Sequence, residues 1–348
     1  MKKRIWTVLV LVLSMMLAAC GTVKNGKPAT EAVKLTADDQ LYIGFVLDTL
    51  KDERWYKDKE LFEEAVRSQG ARVKTLAANG NDDVQLKQAE LLIEEGVDVL
   101  VVVPHDAAFS AAIVELAHKA DVKVISYDRL ITNAPVDYYI SFDNVKVGEV
   151  QAAEIVKQAP SGSIAYIGGA ESDNNAILFR QGAMNVLKPL IDKGTIKLVY
   201  DQYTDGWDPK KAEANMKTAL GKNGNKINAV VAANDGTAGG VINALSAAGL
   251  AGKVPVSGQD AELEGVRRVV AGTQSMTVYK PISLLATQAA EMAVKVAADK
   301  EINADQSINN GAADIPAVLL EPVAVTKDTI RTTVVKDGYL TEEQVYGK

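Results

Sequence analysis

Short β-branched, apolar runs recur along this chain with helical segments between them, a pattern that few architectures satisfy. The runs fall at Leu41 to Leu47, Val97 to Val103, Val122 to Ser126, Ser163 to Ile167, Ile196 to Tyr200, Ile227 to Ala232 and Val254 to Ser257. Between them, Val84 to Glu95, Ala108 to Lys119, Lys210 to Leu220 and Thr237 to Ala248 carry apolar residues at helical spacing. Strand and helix in alternation mean parallel sheets covered by helices, so an α/β fold is expected. Hydrophobic residues make up 47% of the chain, and roughly 310 residues remain after the N-terminal segment described next. That exceeds what one core normally organises, and two lobes are expected.

The first residues, MKKRIWTVLVLVLSMMLAAC, set Lys2, Lys3 and Arg4 before an apolar run that ends in small residues and a cysteine. This is the outline of a secretory signal peptide over residues 1–19, and the run is too short for a membrane span of roughly 20 residues. Leu17-Ala18-Ala19-Cys20 resembles a bacterial lipobox, which implies lipidation at Cys20 and attachment to the outer face of the cell membrane. Cys20 is the one cysteine in the sequence, so a fold stapled by intrachain disulfides is excluded. Residues 20–39 lack apolar periodicity and read as a flexible tether. Loss of the leader removes three of the 38 basic residues and leaves 35 against 45 acidic, a net charge of about −10. Such a globule is a poor match for nucleic acid or for an anionic membrane surface.

In open parallel sheets, ligands bind beyond the carboxyl ends of the strands. Here those ends are crowded with polar groups: Asp48 to Trp55, Asn79 to Asn81, Pro104 to Asp106, Tyr127 to Arg129, Gly168 to Asn175, Asp205 to Trp207, Asn234 to Gly236, Gly258 to Asp260 and Tyr279 to Pro281. The first four lie in one half of the chain and the rest mostly in the other. Two sheets facing each other across a cleft would bring both sets to one ligand. The segments ERWYKD (Glu53 to Asp58), AANGN (Ala77 to Asn81), GVDVLVVVP (Gly96 to Pro104), YDRLI (Tyr127 to Ile131), DNNAILFRQG (Asp173 to Gly182), DGWDP (Asp205 to Pro209), ANDGTAGG (Ala233 to Gly240) and SGQDAEL (Ser257 to Leu263) are carried in this order.

With these motifs the chain resembles the periplasmic sugar-binding proteins of type I fold, most closely their D-xylose-binding members, from about Leu41 to Gly338. Its departures lie chiefly outside the cleft set, as at His105, where an aromatic is common. The resemblance implies two doubly wound lobes with D-xylose between them and a ligand set of Arg54, Trp55, Asp128, Arg129, Asp173, Asn175, Trp207, Asn234, Asp260 and Lys280. Arg54, Trp55, Asp128, Arg129 and Lys280 would come from the N-terminal lobe or its edge. It also implies three crossings, near Asp143 to Val145, Val278 to Lys280 and Ala312 to Asp314. The N-terminal lobe would then comprise residues 40–144 and 280–312, and the C-terminal lobe residues 145–279 and 313–343. The implied partner is the permease of an ABC importer or, alternatively, a membrane histidine kinase or chemoreceptor. A monomer without cofactor is expected.

The chemistry of the residues agrees. A pyranose offers a ring of hydroxyls that donate and accept, and two apolar C–H faces, which carboxylates, amides and aromatics complement. Trp55 and Trp207, the tryptophans that remain after the leader, both sit in polar segments after strands. Arg54, Arg129 and Lys280 can donate to hydroxyls, and Asp128, Asp173 and Asp260 can accept. Each could instead serve as a helix cap, a salt bridge or a core plug.

An exported hydrolase fits less well. His105 and His118 are the only histidines, and no G-x-S-x-G elbow, H-E-x-x-H or cysteine pair is present. Asp128 and Asp260 could imitate a glycosidase pair, so a carbohydrate-active enzyme stays as a remote alternative and no catalytic residue is assigned. Gly168-Gly169 and Gly239-Gly240 belong to no nucleotide motif and read as tight turns. Asn79 to Asp83 has a calcium-like composition without a closing glutamate, and reads as a capped helix start at Asp82.

Overall fold

The structure is a computed structural model that describes residues 40–304 and 306–347. The expected leader, the lipidated Cys20 and the tether lie outside the described residues. In chain order the elements are β1 (Tyr42–Leu47), α1 (Glu53–Ser68), β2 (Arg72–Ala77), α2 (Asp82–Glu94), β3 (Val99–Val102), α3 (Ala111–Lys119), β4 (Lys123–Tyr127), β5 (Tyr138–Phe142), α4 (Asn144–Gln158), β6 (Gly162–Ile167), α5 (Asn174–Asp192) and β7 (Ile196–Gln202). There follow α6 (Pro209–Lys222), β8 (Ala229–Ala232), α7 (Asp235–Ala247), α8 (Leu263–Ala271), β9 (Met276–Tyr279), α9 (Ile282–Ala297), β10 (Gln306–Asn309), β11 (Asp314–Leu320), β12 (Val323–Thr326) and α10 (Glu342–Tyr346).

Seven strands form the first sheet in the order β10-β11-β5-β4-β3-β1-β2, parallel except for the edge strand β10. Three parallel strands form the second, β7-β6-β8, and β9 pairs with β12 in a separate antiparallel ribbon. Alternate residues of β1 enter opposite cores: Ile43, Phe45 and Leu47 pack against α1 and α9 residues, while Tyr42 and Val46 pack against α2 and α3 residues. Both faces are therefore covered, which is why the parent run reads as continuously apolar. Ile164 and Tyr166 against Ala165 and Ile167 divide the second sheet in the same way.

The chain crosses between the sheets after Phe142 and after Tyr279. The third crossing differs from expectation. Asp314–Leu320 is not in the second half: it pairs in parallel with β5 through Ala317 to Leu320 and closes a hairpin with β10. The chain leaves the first sheet only after Leu320, because this strand completes an edge that would otherwise expose the backbone of β5. The expected strand at Val254 to Ser257 is reduced to a single bridge between Val256 and Val230, since Pro255 has no N–H to donate.

The glycine pairs also differ from expectation. Neither Gly168-Gly169 nor Gly239-Gly240 has positive φ. A Cβ on Gly169 would lie 2.0 Å from the Trp207 ring, and one on Gly240 would lie 2.0 Å from the Pro209 carbonyl. These glycines provide space for an indole and for the contact of α6 with α7. At Asp82 the helix does begin, with Asn81 accepting from the Val84 N–H at 2.9 Å.

Candidate functional site

Arg54 and Trp55 lie in the first turn of α1, and Asp128 and Arg129 directly follow β4. From the other side come Asp173 and Asn175 at the start of α5, Trp207 in a 3-10 turn over Asp205–Trp207, Asn234 before α7 and Asp260 after the Val256 bridge, while Lys280 sits at the second crossing, on the edge between the two. All ten residues line one cavity, together with Asp52, Phe179 and Gln259. The cavity and its mouth hold about 330 Å³ of empty space. The N-termini of α1, α5 and α7 all face it, and their positive dipole ends offset part of the excess of carboxylates over cations.

Two charge clusters organise the walls. In the first, Arg54 binds Asp58 through Nε at 3.0 Å and Nη2 at 3.1 Å, and Asp128 through Nη2 at 3.1 Å. Its Nη1 reaches Asp260 across the cavity at 3.5 Å. Lys280 Nζ lies 3.3 Å from Asp260 and 3.6 Å from Asp128. Burial raises the cost of ionising Asp128, yet Arg54, Lys280 and Arg129 outweigh it and hold the carboxyl below its usual range. In the second, Arg129 Nη1 donates to Asp48 at 2.6 Å, and its Nε lies 2.8 Å from Asp173. Burial pushes Asp173 upward against the attraction of Arg129.

Several of these side chains also hold the frame. Asp173 caps α5 by accepting from the Asn175 N–H at 2.9 Å, and it accepts from the Trp207 indole at 3.2 Å. Asn175 Nδ2 donates to the carbonyl and the carboxylate of Asp128, each at 3.1 Å. Asn234 forms a capping box with Thr237, which commits its Oδ1 and leaves the amide nitrogen to donate. Trp55 is 3% exposed, with the Arg54 guanidinium 4.2 Å from its ring centroid and that of Arg129 at 5.3 Å. Asp128, Trp207 and Asp260 all have positive φ, backbone strain of the kind that gathers at binding sites.

Three lining residues were not singled out from sequence. Phe179 lies one helical turn beyond Asn175, a spacing that could have found it. Gln259 adjoins Asp260, and Asp52 occupies the N-cap position of the helix that carries Arg54 and Trp55, without a side-chain capping bond. His105 does not line the cavity. Its Nδ1 is 2.8 Å from Asp48, so it stands behind the carboxylate that holds Arg129. His118 pairs with Asp137 at 2.8 Å, away from the lining set.

A cleft between two such sheets, walled by opposed charges, amides and indoles, defines a binding protein for a small polar solute. Residues 43–301 match the model of the periplasmic binding protein domain, and the chain belongs to that family, with its type I fold. Among its relatives, the D-xylose-binding periplasmic protein of Escherichia coli is 51% identical over 306 residues, covering 88% of this chain and 93% of the relative. The multiple sugar-binding periplasmic receptor ChvE of Rhizobium radiobacter is 34% identical, covering 94% and 97%. A carbohydrate transporter solute binding protein from Chloroflexus aurantiacus, solved in complex with D-glucose, superposes with a TM-score of 0.83 at 35% identity, covering 88% of this chain and 98% of that one.

Proposed function

We propose that this protein captures D-xylose between its two sheets and delivers it to the membrane subunits of an ABC sugar importer, tethered to the outer face of the cell membrane through a lipid on Cys20. The observation that carries the reading is the convergence of Arg54, Trp55, Asp128, Arg129, Asp173, Asn175, Trp207, Asn234, Asp260 and Lys280 on one cavity, in a chain half identical to a protein named for D-xylose binding. Hydroxyls of the sugar would replace some of the charge contacts that now cross the cavity, such as Arg54 to Asp260. The indoles would meet its C–H faces. Contacts to both halves make the ligand a bridge that favours the closed arrangement, which the importer then reads.

The test is a thermal-shift panel of xylose, glucose, arabinose, ribose and galactose, because a ligand selective for the folded state raises the melting temperature. A shift with xylose well above the others is expected, and no shift with any of them would overturn the sugar reading. Calorimetry on Trp55→Ala, Trp207→Ala and Asp260→Ala should then give losses of roughly 1 kcal/mol or more each. Unchanged affinity in all three would remove the site assignment.

A second reading, a sugar sensor that signals through a membrane kinase or chemoreceptor, draws support from the relative named as a receptor. Deletion of the gene separates the two. Delivery predicts loss of xylose uptake, whereas sensing predicts intact uptake with loss of the response to xylose.

A further inference from the structure

Asp260 presents its carboxylate from a backbone that resists the shape it holds. Its φ is 86°, and that of the next residue, Ala261, is 48°. Consecutive non-glycine residues in this region cost on the order of 1–3 kcal/mol each and persist only where their surroundings fix them. Three bonds from the same half do so: Asp260 N–H to Val278 O at 2.8 Å, Ala261 N–H to Thr277 Oγ1 at 3.2 Å, and Glu262 N–H to Asp235 Oδ2 at 3.0 Å. The fourth comes from the C-terminal segment, where the Tyr339 hydroxyl donates to the Asp260 carbonyl at 3.2 Å.

Tyr339 is itself held from two directions. Its ring lies 5.1 Å from that of Tyr279, and its neighbour Leu340 is buried with Ala261 and Val266 in one apolar cluster. From the first half of the molecule, Lys57 Nζ sits 4.0 Å from the ring centroid and 3.5 Å from the Tyr339 carbonyl. Lys57 is one turn beyond Glu53, which pairs with it at 3.0 Å and accepts from the Leu263 N–H at 3.4 Å. Between those two residues, Arg54 reaches Asp260 itself. One face of α1 thus grips the strained turn and the tyrosine behind it.

We propose that Tyr339, which does not line the cavity, is a positioning residue for the sugar site: its hydroxyl fixes the Asp260 carbonyl and so aims the carboxylate, while Lys57 seats its ring when the two halves meet. This rests on the sugar-binding reading. Tyr339→Phe keeps the ring, its packing and the Lys57 contact, and removes one hydrogen bond. Xylose affinity measured by calorimetry should fall about threefold to tenfold, the equivalent of a single hydrogen bond. Asp260→Gly removes the carboxylate and adopts positive φ without strain, so in that background Tyr339→Phe should change affinity by less than about twofold. Hydrogen exchange at the Ala261 to Leu263 amides should quicken in ligand-free Tyr339→Phe with the rest of the chain unaltered. Titrations extend into the millimolar range, which the solubility of xylose permits.

Unchanged affinity in Tyr339→Phe, an equal loss in both backgrounds, or unaltered exchange at these amides would overturn the proposal while leaving the sugar reading intact. If the unmodified protein binds no monosaccharide, the sugar reading falls and this inference with it.

Discussion

Arg129 Nε lies 2.8 Å from Asp173 Oδ2, an ion pair that joins the end of β4 to the N-cap of α5 and so links the two halves of the molecule. Both side chains are almost wholly buried, at 7% and 3% exposure. Arg129 holds Asp48 at the same time, and His105 stands behind Asp48. A buried charge that loses its partner is left unsolvated, so the pair has consequences for stability as well as for binding.

Arg129→Met should therefore lower the unfolding free energy by about 3–5 kcal/mol, since Asp48 and Asp173 would both lose their buried partner. Urea unfolding of the ligand-free protein measures it. A loss below about 1 kcal/mol would mean that water reaches these carboxylates and that the network is not structurally important.

Gly169→Ala should weaken sugar binding by on the order of tenfold, with a modest loss of stability. The added methyl would stand 2.0 Å from the Trp207 ring, and overpacking of this kind costs about 1–3 kcal/mol. Trp207 would have to move, breaking its bond to Asp173. Calorimetry together with indole fluorescence would show it, and wild-type affinity with an unshifted emission maximum would count against the placement of the ring.

Stability of the ligand-free protein should fall as pH rises from about 5.5 to 8.5. Burial, with the Asp260 charge nearby, pushes Asp235 up to about 7 despite its bonds to Gln274 and Thr277. Burial and the neighbouring Asp235 and Asp260 push Glu262 up to about 9. Each carboxyl keeps its proton in the folded state at pH values where the unfolded chain, with carboxyls near 4, has released it. Stability is thus greatest below about 4 for these groups and is lost as pH climbs through 7 and 9. His105, raised by its bond to Asp48, adds in the same direction through the neutral range. Thermal unfolding against pH should show a slope that flattens in Asp235→Asn, and a melting temperature that rises toward pH 8.5 would contradict the assignment.

What the sequence determined by itself follows from short-range physics. The apolar runs marked β1, β3, β4, β6 and β8 because strands covered on both faces need continuous hydrophobicity, the edge strand β7 showed because Ile196 to Tyr200 is apolar at four of its five positions, and the polar tails after these runs located the cavity residues because ligands meet parallel strands at their carboxyl ends. The half-exposed strands β2, β10 and β12 escaped, since each is short or interrupted by polar residues and leaves no long apolar run. Only the tertiary structure decided that Asp314–Leu320 belongs to the first sheet, because its partner β5 lies far back in the chain. Only there did Gly169 become the seat of Trp207, Phe179 a wall of the cavity, and Tyr339 the support of Asp260. These roles depend on distances between residues remote in sequence, and local pattern carries no information about them until the chain has folded.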